Sequence, residues 1–356
     1  MAEVRVAIAG VGNCASALVQ GVQFYQDVQS EESGPGLMHV NFGGYYPRDI
    51  RFVGAFDVDE SKVGKDLSQA IFTAPNNTRR FSEVPFMGVK VLRGSVLDGV
   101  GKYVESVIKI GSGDCVNVSE ELRARDADML ISYLPVGSEK AVRWYADQAI
   151  KGGCAFINCM PVFIASDETW QRRFAMAGLP VAGDDVMSQI GATVLHKSLV
   201  KMLVDRGVKI DKSYQLNIGG DTDFLNMLEE ERLESKRVSK TSAVQAMVPY
   251  NVPLRIGPSD YVGFLENKKI CYIWINGRYF GDSPVKIDVK LDIWDAPNSG
   301  GVVIDAIRAV KLGIDRKVGG PMTSISAYAF KHPPEQASYS LAKQWVEEFI
   351  QGKRER

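Results

Sequence analysis

The stretch VRVAIAGVGNCASALVQG, residues 4–21, constrains the fold more than any other part of the chain. The apolar run Val4–Ala9 is too short for a helix, and Val6 and Ile8 suit a parallel strand covered on both faces. Gly10, Gly12 and Ala15 then spell GxGxxA at a strand-to-helix junction. Gly10 permits the tight turn and Gly12 lets a pyrophosphate approach the backbone. Ala15 permits close helix packing, and the helix N-terminus favours an anion. The spacing alone would also fit a merely packed turn. Its place directly after the first strand favours dinucleotide binding.

The acidic partner of such a turn is expected ~20 residues further on. Residues 29–50 are rich in Gly, Pro and polar groups and read as a long insertion that delays it. The second strand, IRFVGAFD, ends at Asp57, whose carboxylate is placed to accept both ribose hydroxyls. That favours NAD over NADP, whose 2′-phosphate it would repel. Asp59 competes for the role but reads better as a solvated loop acid.

Further short apolar runs follow at VKVLRG, DMLISYLPVG, CAFINCMPV and LPVAGDD, with helical patterns at 138–150 and 167–177 between several of them. Strands alternating with helices indicate a mainly parallel sheet covered on both faces. After about residue 200 the pattern changes. In VKIDVKLDIWD, Val285, Ile287, Val289, Leu291 and Ile293 alternate with Lys286, Asp288, Lys290 and Asp292. Period two marks a sheet with one face buried and one wet. A second α+β domain of roughly 100 residues is expected, with helices at 299–312 and 337–351 packing back on the first.

The 356 residues suit two domains better than one core. A net charge of −1 makes no electrostatic case for nucleic acid or an anionic membrane. No apolar run reaches membrane length, and the N-terminus enters a strand without a signal peptide, so a cytoplasmic location is expected. Cys14, Cys115, Cys154, Cys159 and Cys271 show no CxxC pairing and read as reduced thiols. Cys159 could serve as a nucleophile, but a small buried residue in an apolar strand is the stronger reading. The three histidines, His39, His196 and His332, lack metal-ligand spacing. A histidine zinc site and a Ser-His-Asp triad are both disfavoured.

Lysines recur where histidines are scarce. Lys236 and Lys240 share a helix face at i and i+4, Lys269 opens KICYIWI, and Lys331 sits in SAYAFKHPPEQ. Asp185, Asp223 and Asp295 are the acidic candidates. A solvated surface position is the ordinary reading of any single lysine. Only convergence in space would give these four a shared role.

The stretches GDDVMSQIGAT, GGDTDFLNMLEEERLESKRVSKTSAV, DAPNSGGVVIDAIRA and SAYAFKHPPEQ, together with GVGNCASALVQG, VGAFDVDESKVGKDL and YLPVGSEKA, resemble myo-inositol-1-phosphate synthases of the short prokaryotic type. The resemblance runs in order along essentially the whole chain. It implies an α/β fold, with a Rossmann-like doubly wound parallel sheet and an inserted α+β catalytic and oligomerisation domain. The partition would be 1–197 for NAD binding, 198–298 for catalysis and tetramer formation, and 299–356 for the returning segment. It also implies cyclisation of a hexose 6-phosphate without net redox change, with NAD tightly bound and recycled. Glucose 6-phosphate would be oxidised at C5, enolised, closed by aldol attack of C6 on C1, and reduced again to 1L-myo-inositol 1-phosphate. Negative charge develops on oxygen at each stage, which suits ammonium groups.

Carried over by motif, Lys236 resembles the lysine that handles the proton of the oxidised hydroxyl. Lys240 resembles the phosphate and enolate contact. Lys269 matches the lysine of the next strand, with Lys268 as the competing alignment, and Lys331 matches the lysine beside the attacked aldehyde. Asp185 and Asp223 resemble aspartates that orient these ammonium groups or contact nicotinamide ribose, and Asp295 lies near the same cofactor. The resemblance further assigns Gly10, Gly12, Asn13, Cys14, Ser132, Leu134, Asn158, Ala192 and Thr193 to the cofactor, and Ser235 and Asn226 to the substrate. It assigns no metal ligands and leaves a divalent or monovalent cation open. The implied partner is a second copy of the chain, in a homotetramer, with neither nucleic acid nor membrane.

Four positions depart from the family pattern. Met187 stands where lysine is usual, Asp221 where asparagine is common, Ala296 replaces serine, and His332 replaces a small residue. Losing a cation and gaining an anion changes how a phosphate or hydroxyl is held. Fructose 6-phosphate, closing C6 onto its C2 ketone to give a five-membered cyclitol phosphate, therefore stays open. So do a simple dehydrogenase, which would accumulate NADH, and a catalytically silent NAD-binding scaffold or sensor, which would have no need of four such lysines.

Overall fold

The computed structural model describes residues 3–31, 34–229 and 234–356. Strands β1 (Val4–Ala9), β2 (Ile50–Asp57), β3 (Val91–Arg93), β4 (Met129–Ser132), β5 (Ala155–Asn158), β6 (Pro180–Ala182) and the two-residue β11 (Gly320–Pro321) form one sheet. Their order is β3-β2-β1-β4-β5-β6-β11, and all neighbours run parallel. The first six strands have the 3-2-1-4-5-6 order of a Rossmann sheet, in which the order reverses beside β1 and opens a crevice at the carboxyl ends.

Alternate residues of β1 feed two cores. Val6 and Ile8 pack beneath α1 (Asn13–Phe24), α9 (Asp295–Asp315) and α11 (Tyr339–Ile350). Ala7 and Ala9 face α3 (Val118–Ala124), α4 (Glu139–Gly152) and α5 (Glu168–Met176). Each fully buried branched side chain here contributes about 1.5–3 kcal/mol. The turns between these elements follow local chemistry. Asp167 caps α5 by accepting from Thr169 N and Trp170 N, and Gly153 ends α4 at φ 77°. The short helices α2 (Leu67–Ala70) and α10 (Thr323–Ala329) complete this layer.

The insertion after α1 folds over α9. Arg308, wholly buried, donates to Val40 O at 2.8 Å and Tyr45 O at 3.3 Å and pairs with Asp305, which accepts from Met38 N. A Cβ on Gly301 would lie 1.8 Å from Gly36 O, so only glycine lets the insertion lie this close to the helix.

The second sheet holds β7 (Lys209–Gly219), β8 (Leu254–Tyr261), β9 (Lys268–Tyr279) and β10 (Ser283–Trp294) in the order β10-β9-β7-β8. β9 is antiparallel to both neighbours, while β8 runs parallel to β7. Helices α6 (Ala192–Asp205) and α8 (Glu234–Gln245) cover one face through Val200, Leu203, Val244, Ile273 and Ile275. In β10 the lysines and aspartates are exposed and the branched residues half-buried, as period two predicts. β7 does the reverse: Ser213, Gln215 and Asn217 are buried while Tyr214 and Leu216 are exposed. The one-turn α7 (Thr222–Asn226) follows it.

Candidate active site

The carboxyl ends of the Rossmann strands and the inner end of the second sheet enclose one cavity of about 260 Å³. The glycine turn forms part of its wall. Gly10 adopts φ 94°, and a Cβ there would meet Tyr133 O at 2.5 Å. At Gly12, the N-cap of α1, a Cβ would meet nothing within 4 Å, and no side chain caps the helix. An open, uncapped helix start fits the pyrophosphate of a dinucleotide.

Asp57 lines the same cavity at the end of β2. Its carboxylate accepts from Val11 N at 2.6 Å, Val58 N at 2.7 Å and Asp59 N at 2.9 Å. These bonds fix its orientation against the glycine turn and leave one of its four acceptor sites, on Oδ2, open to a ligand hydroxyl. Asp59 is not the solvated loop acid expected from its position. It is 3% exposed, accepts from Ser61 N and Oγ, and lies 3.7 Å from Lys62 Nζ. Burying it pulls the chain after β2 into a tight turn behind Asp57.

Asn13 ties the turn to the loop at 76–78. Its Oδ1 accepts from Asn77 N and Thr78 N, and Asn77 Nδ2 reaches across to Gly220 O after β7 at 3.3 Å. Lys62 lines the cavity nearby and donates to Asn76 Oδ1 at 2.9 Å.

Leu134 is on the wall, whereas Ser132 and Asn158 lie beneath it. Asn158 Nδ2 donates to Asp184 Oδ1 at 2.8 Å and Val162 O at 2.5 Å. Asp184 is wholly buried and accepts from Ile164, Ala165 and Ser166 backbone amides. Burial pushes its carboxyl up to about 6 against those bonds. Together they hold the loop that follows β5.

Three of the four lysines converge. Lys240, Lys269 and Lys331 all line the cavity. Lys331 Nζ lies 2.7 Å from Asp185 Oδ1, and Lys269 Nζ lies 3.2 Å from Asp295 Oδ1. Asp185 takes the left-handed conformation, φ 62°, which Asp tolerates better than most residues. Burial alone would lower Lys269, but Asp295 and then Asp223 raise it overall, so it is an ammonium. Lys240 is buried on α8, with Asp223 also on the wall. Lys236 and Ser235 begin the same helix, and their side chains lie outside the described residues.

Ala192 and Thr193 open α6 on the wall, where Gly191 is the N-cap and no side chain bonds to it. The cavity thus meets two uncapped helix starts, which suits two anionic groups. Asn226 is buried off the wall and donates to Val136 O at 2.7 Å. Cys14 faces the cavity, but burial and then Asp295 push its thiol up to about 12. Cys159 is buried, and burial drives its thiol well above the usual range. Neither is a ready nucleophile.

The departing positions separate into two groups. Met187 is buried off the wall, and His332 stacks on Phe163 with ring centres 4.2 Å apart. Asp221 and Ala296 line the cavity, and Asn267 joins them. Its Nδ2 donates to Asp221 Oδ2 at 2.6 Å, and its Oδ1 accepts from Ala296 N at 3.0 Å. Burial, then Asp223 and Asp295, push Asp221 up to about 7. Sequence reasoning missed Asn267, Lys62, Asp184 and the buried amides of Gln215 and Asn217. For the last two the sequence misleads: alternation in SYQLNIG predicts that Tyr214 and Leu216 face the core, and the structure buries the polar residues instead.

The model of the myo-inositol-1-phosphate synthase family matches residues 191–296, which span α6 to the start of α9. The chain is 52% identical to an inositol-3-phosphate synthase of Mycobacterium tuberculosis, over 98% of this chain and 96% of that one. It is 49% identical to an inositol-3-phosphate synthase of Corynebacterium glutamicum, over 98% of each. Among solved structures it is similar to a myo-inositol-1-phosphate synthase-related protein from Thermotoga maritima, with TM-score 0.79 and 25% identity over 99% of this chain and 100% of that one. With identity of this degree along nearly its whole length, the chain belongs to the myo-inositol-1-phosphate synthase family of sugar-phosphate cyclases.

Proposed function

We propose that the chain is an NAD-dependent cyclase that converts D-glucose 6-phosphate to 1L-myo-inositol 1-phosphate. The observation that carries this reading is the meeting of Lys240, Lys269 and Lys331 on the cavity that also holds the glycine turn. The open Gly12, the uncapped start of α1 and Asp57 fit NAD, with Leu134, Thr193 and Asp185 on the remaining wall. NAD held there would supply the hydride acceptor for C5 of the sugar and the donor for its return, with no net redox change.

The protein's own groups account for the charge that develops on oxygen. Lys236 takes the proton of the C5 hydroxyl. Once C5 is a ketone, a C6 proton passes to an oxygen of the substrate's own phosphate, and the enolate oxygen is held by Lys240 and Lys269. The C1 aldehyde gains negative charge as C6 attacks it, and Lys331 stabilises that oxygen. Ammonium groups oriented beforehand by Asp185 and Asp295 need little rearrangement as each charge appears. The start of α6 receives the phosphate. The same reading includes a homotetramer assembled through the second sheet, a cytoplasmic location, and a cation whose identity the donor set does not specify.

One observation favours a second reading. Two of the four departures from the family pattern, Asp221 and Ala296, meet on the wall at Asn267. A pocket altered at a single corner suits closure of fructose 6-phosphate to a five-membered ring by the same sequence of steps. Incubating the protein and NAD with each hexose phosphate separately, then taking NMR spectra of the dephosphorylated products, identifies the ring. Formation of a six-membered cyclitol from glucose 6-phosphate supports the first reading. Net NADH accumulation or no product from either sugar overturns both.

A further inference from the structure

The insertion between α1 and β2 carries a firmly held carbonyl at Gly36. Gly36 takes φ 95°, and its oxygen lies so close to α9 that a Cβ on Gly301 would come within 1.8 Å of it. Beside it, Pro35 O accepts from the Tyr25 hydroxyl at 2.5 Å, and Met38 N donates to Asp305 Oδ2 at 2.9 Å. Two residues further on, Val40 O accepts from the buried guanidinium of Arg308 at 2.8 Å. An acceptor with so many fixed neighbours stays in place.

What Gly36 O holds is Gln189, whose Nε2 donates to it from 153 residues away in the chain. Gln189 belongs to the loop that leads into α6. Its backbone N donates to Asn298 O at 2.9 Å, and Ile190 N donates to Asn298 Oδ1 at 3.0 Å. Earlier in the loop, Met187 N donates to Ala329 O at 2.8 Å. The loop is thus tied to α10, to α9 and to the insertion. Ser188 and Gly191 line the cavity on either side of Gln189, while the Gln189 side chain turns away from it to reach Gly36. Gly191 is the N-cap of α6, which no side chain caps. The amides of such a helix start attract an anion only as well as they are aimed at it. The loop before the helix sets that aim, and a loop ordered beforehand binds more tightly than one the ligand must order.

We propose that the insertion is a brace for the phosphate end of the cavity, and that Gln189, through its bond to Gly36 O, is a positioning residue that holds the loop from Ser188 to Gly191 so that the start of α6 receives the phosphate. This rests on the reading above that the phosphate goes to α6. Gln189 itself touches no ligand. It acts through the loop, and Asn298 holds the same loop from α9. The long Gly- and Pro-rich segment that separates the glycine turn from Asp57 thereby gains a task at the other anion seat of the same cavity.

Gln189→Met tests this, since it keeps the length of the side chain and removes the donor. In the NAD-bound protein, hydrogen exchange over residues 188–191 is expected to quicken about fivefold, the scale of one lost hydrogen bond. The KM of the hexose phosphate and the Kd of inorganic phosphate, measured by calorimetry, are expected to rise by the same factor. The kcat, the Tm and the Kd of NAD should stay as in wild type. Asn298→Ala, which frees Ile190 N, is the second variant and is expected to show the same selective loss. A side chain that merely packs would lower Tm and weaken NAD and phosphate alike, and that result overturns the inference. So does an unchanged Kd of inorganic phosphate in both variants, or a wild type that binds no inorganic phosphate. If wild type turns over neither sugar while Gln189→Met still weakens inorganic phosphate alone, the sugar reading fails and the brace stands.

Discussion

Lys331 Nζ and Asp185 Oδ1 lie 2.7 Å apart although 146 residues separate them in the chain. Their backbones meet as well, since Lys331 N donates to Asp185 O at 2.8 Å. The ammonium is therefore anchored both through its own backbone and through its charge partner. Lys331→Ala is expected to lower kcat by about 10³-fold or more, the scale of about 4 kcal/mol of transition-state stabilisation. The Kd of NAD should change little, as titration calorimetry would show. Near-normal turnover in this variant would remove the reaction from Lys331.

The two glycines of the turn answer differently to the same added methyl. Gly10→Ala forces a residue at φ 94° and a Cβ 2.5 Å from Tyr133 O, at a cost of about 2 kcal/mol or more. Its Tm should fall by several degrees. Gly12→Ala meets only open space, so its Tm should match wild type while NAD binds about tenfold more weakly. Asp57→Ala should also weaken NAD. A Gly12→Ala protein with unchanged Kd would place the pyrophosphate elsewhere.

Asp221 makes stability depend on pH. Its folded value is raised to about 7, above the unfolded ~3.9, so between those values the folded state binds more protons. The stability it contributes is present below ~pH 4 and is lost as pH rises through 7. Asp221→Ser keeps an acceptor for Phe224 N at the start of α7 and removes the charge. Relative to wild type, its Tm should rise between pH 5 and pH 8 by about 3 °C, on the order of 2 kcal/mol. Parallel Tm curves would show that Asp221 is ionised throughout.

The cysteines separate by burial. Cys115 is exposed, whereas Cys154 and Cys159 are buried, and burial raises Cys14 and Cys154 to about 12. At pH 8 such a thiol is thiolate in about one molecule in 10⁴. Brief alkylation of the native protein should therefore label Cys115 and spare Cys14, Cys154 and Cys159. Mass spectrometry of peptides that found Cys14 or Cys159 labelled first would contradict this ordering.

The Rossmann layer was legible because its signals are local. A short apolar run, GxGxxA and an acid at the end of the second strand are each read within a few residues. β10 was legible for the same reason, since one side chain in two faces the core. The site was less so. Whether Lys269 and Lys331 line one cavity depends on where β9 ends relative to the paired segments that leave β6 and α10, and no spacing encodes that. Asp59 was misread because an acid in a loop is normally hydrated, and only the fold shows it turned inward onto Ser61 and Lys62. β7 inverts the usual pattern, burying Gln215 and Asn217 and exposing Tyr214 and Leu216. The alternation in SYQLNIG shows that the two faces differ, and only the fold shows that the polar one turns inward, onto the cavity at Gln215 and Asn217.

Helix α9 starts on the cavity wall with Asp295 and Ala296, then runs beside α1, whose own start is Gly12. At Gly300 a Cβ would sit 3.6 Å from Ala17 O, so the two rods touch near their starts. One rod carries the carboxylate that steadies Lys269, and the other carries the open start proposed for the pyrophosphate. Their separation is set by side-by-side packing, as a gauge block sets a gap. The reach from the proposed dinucleotide seat to the lysine anchor is therefore built into the folded chain before any ligand arrives.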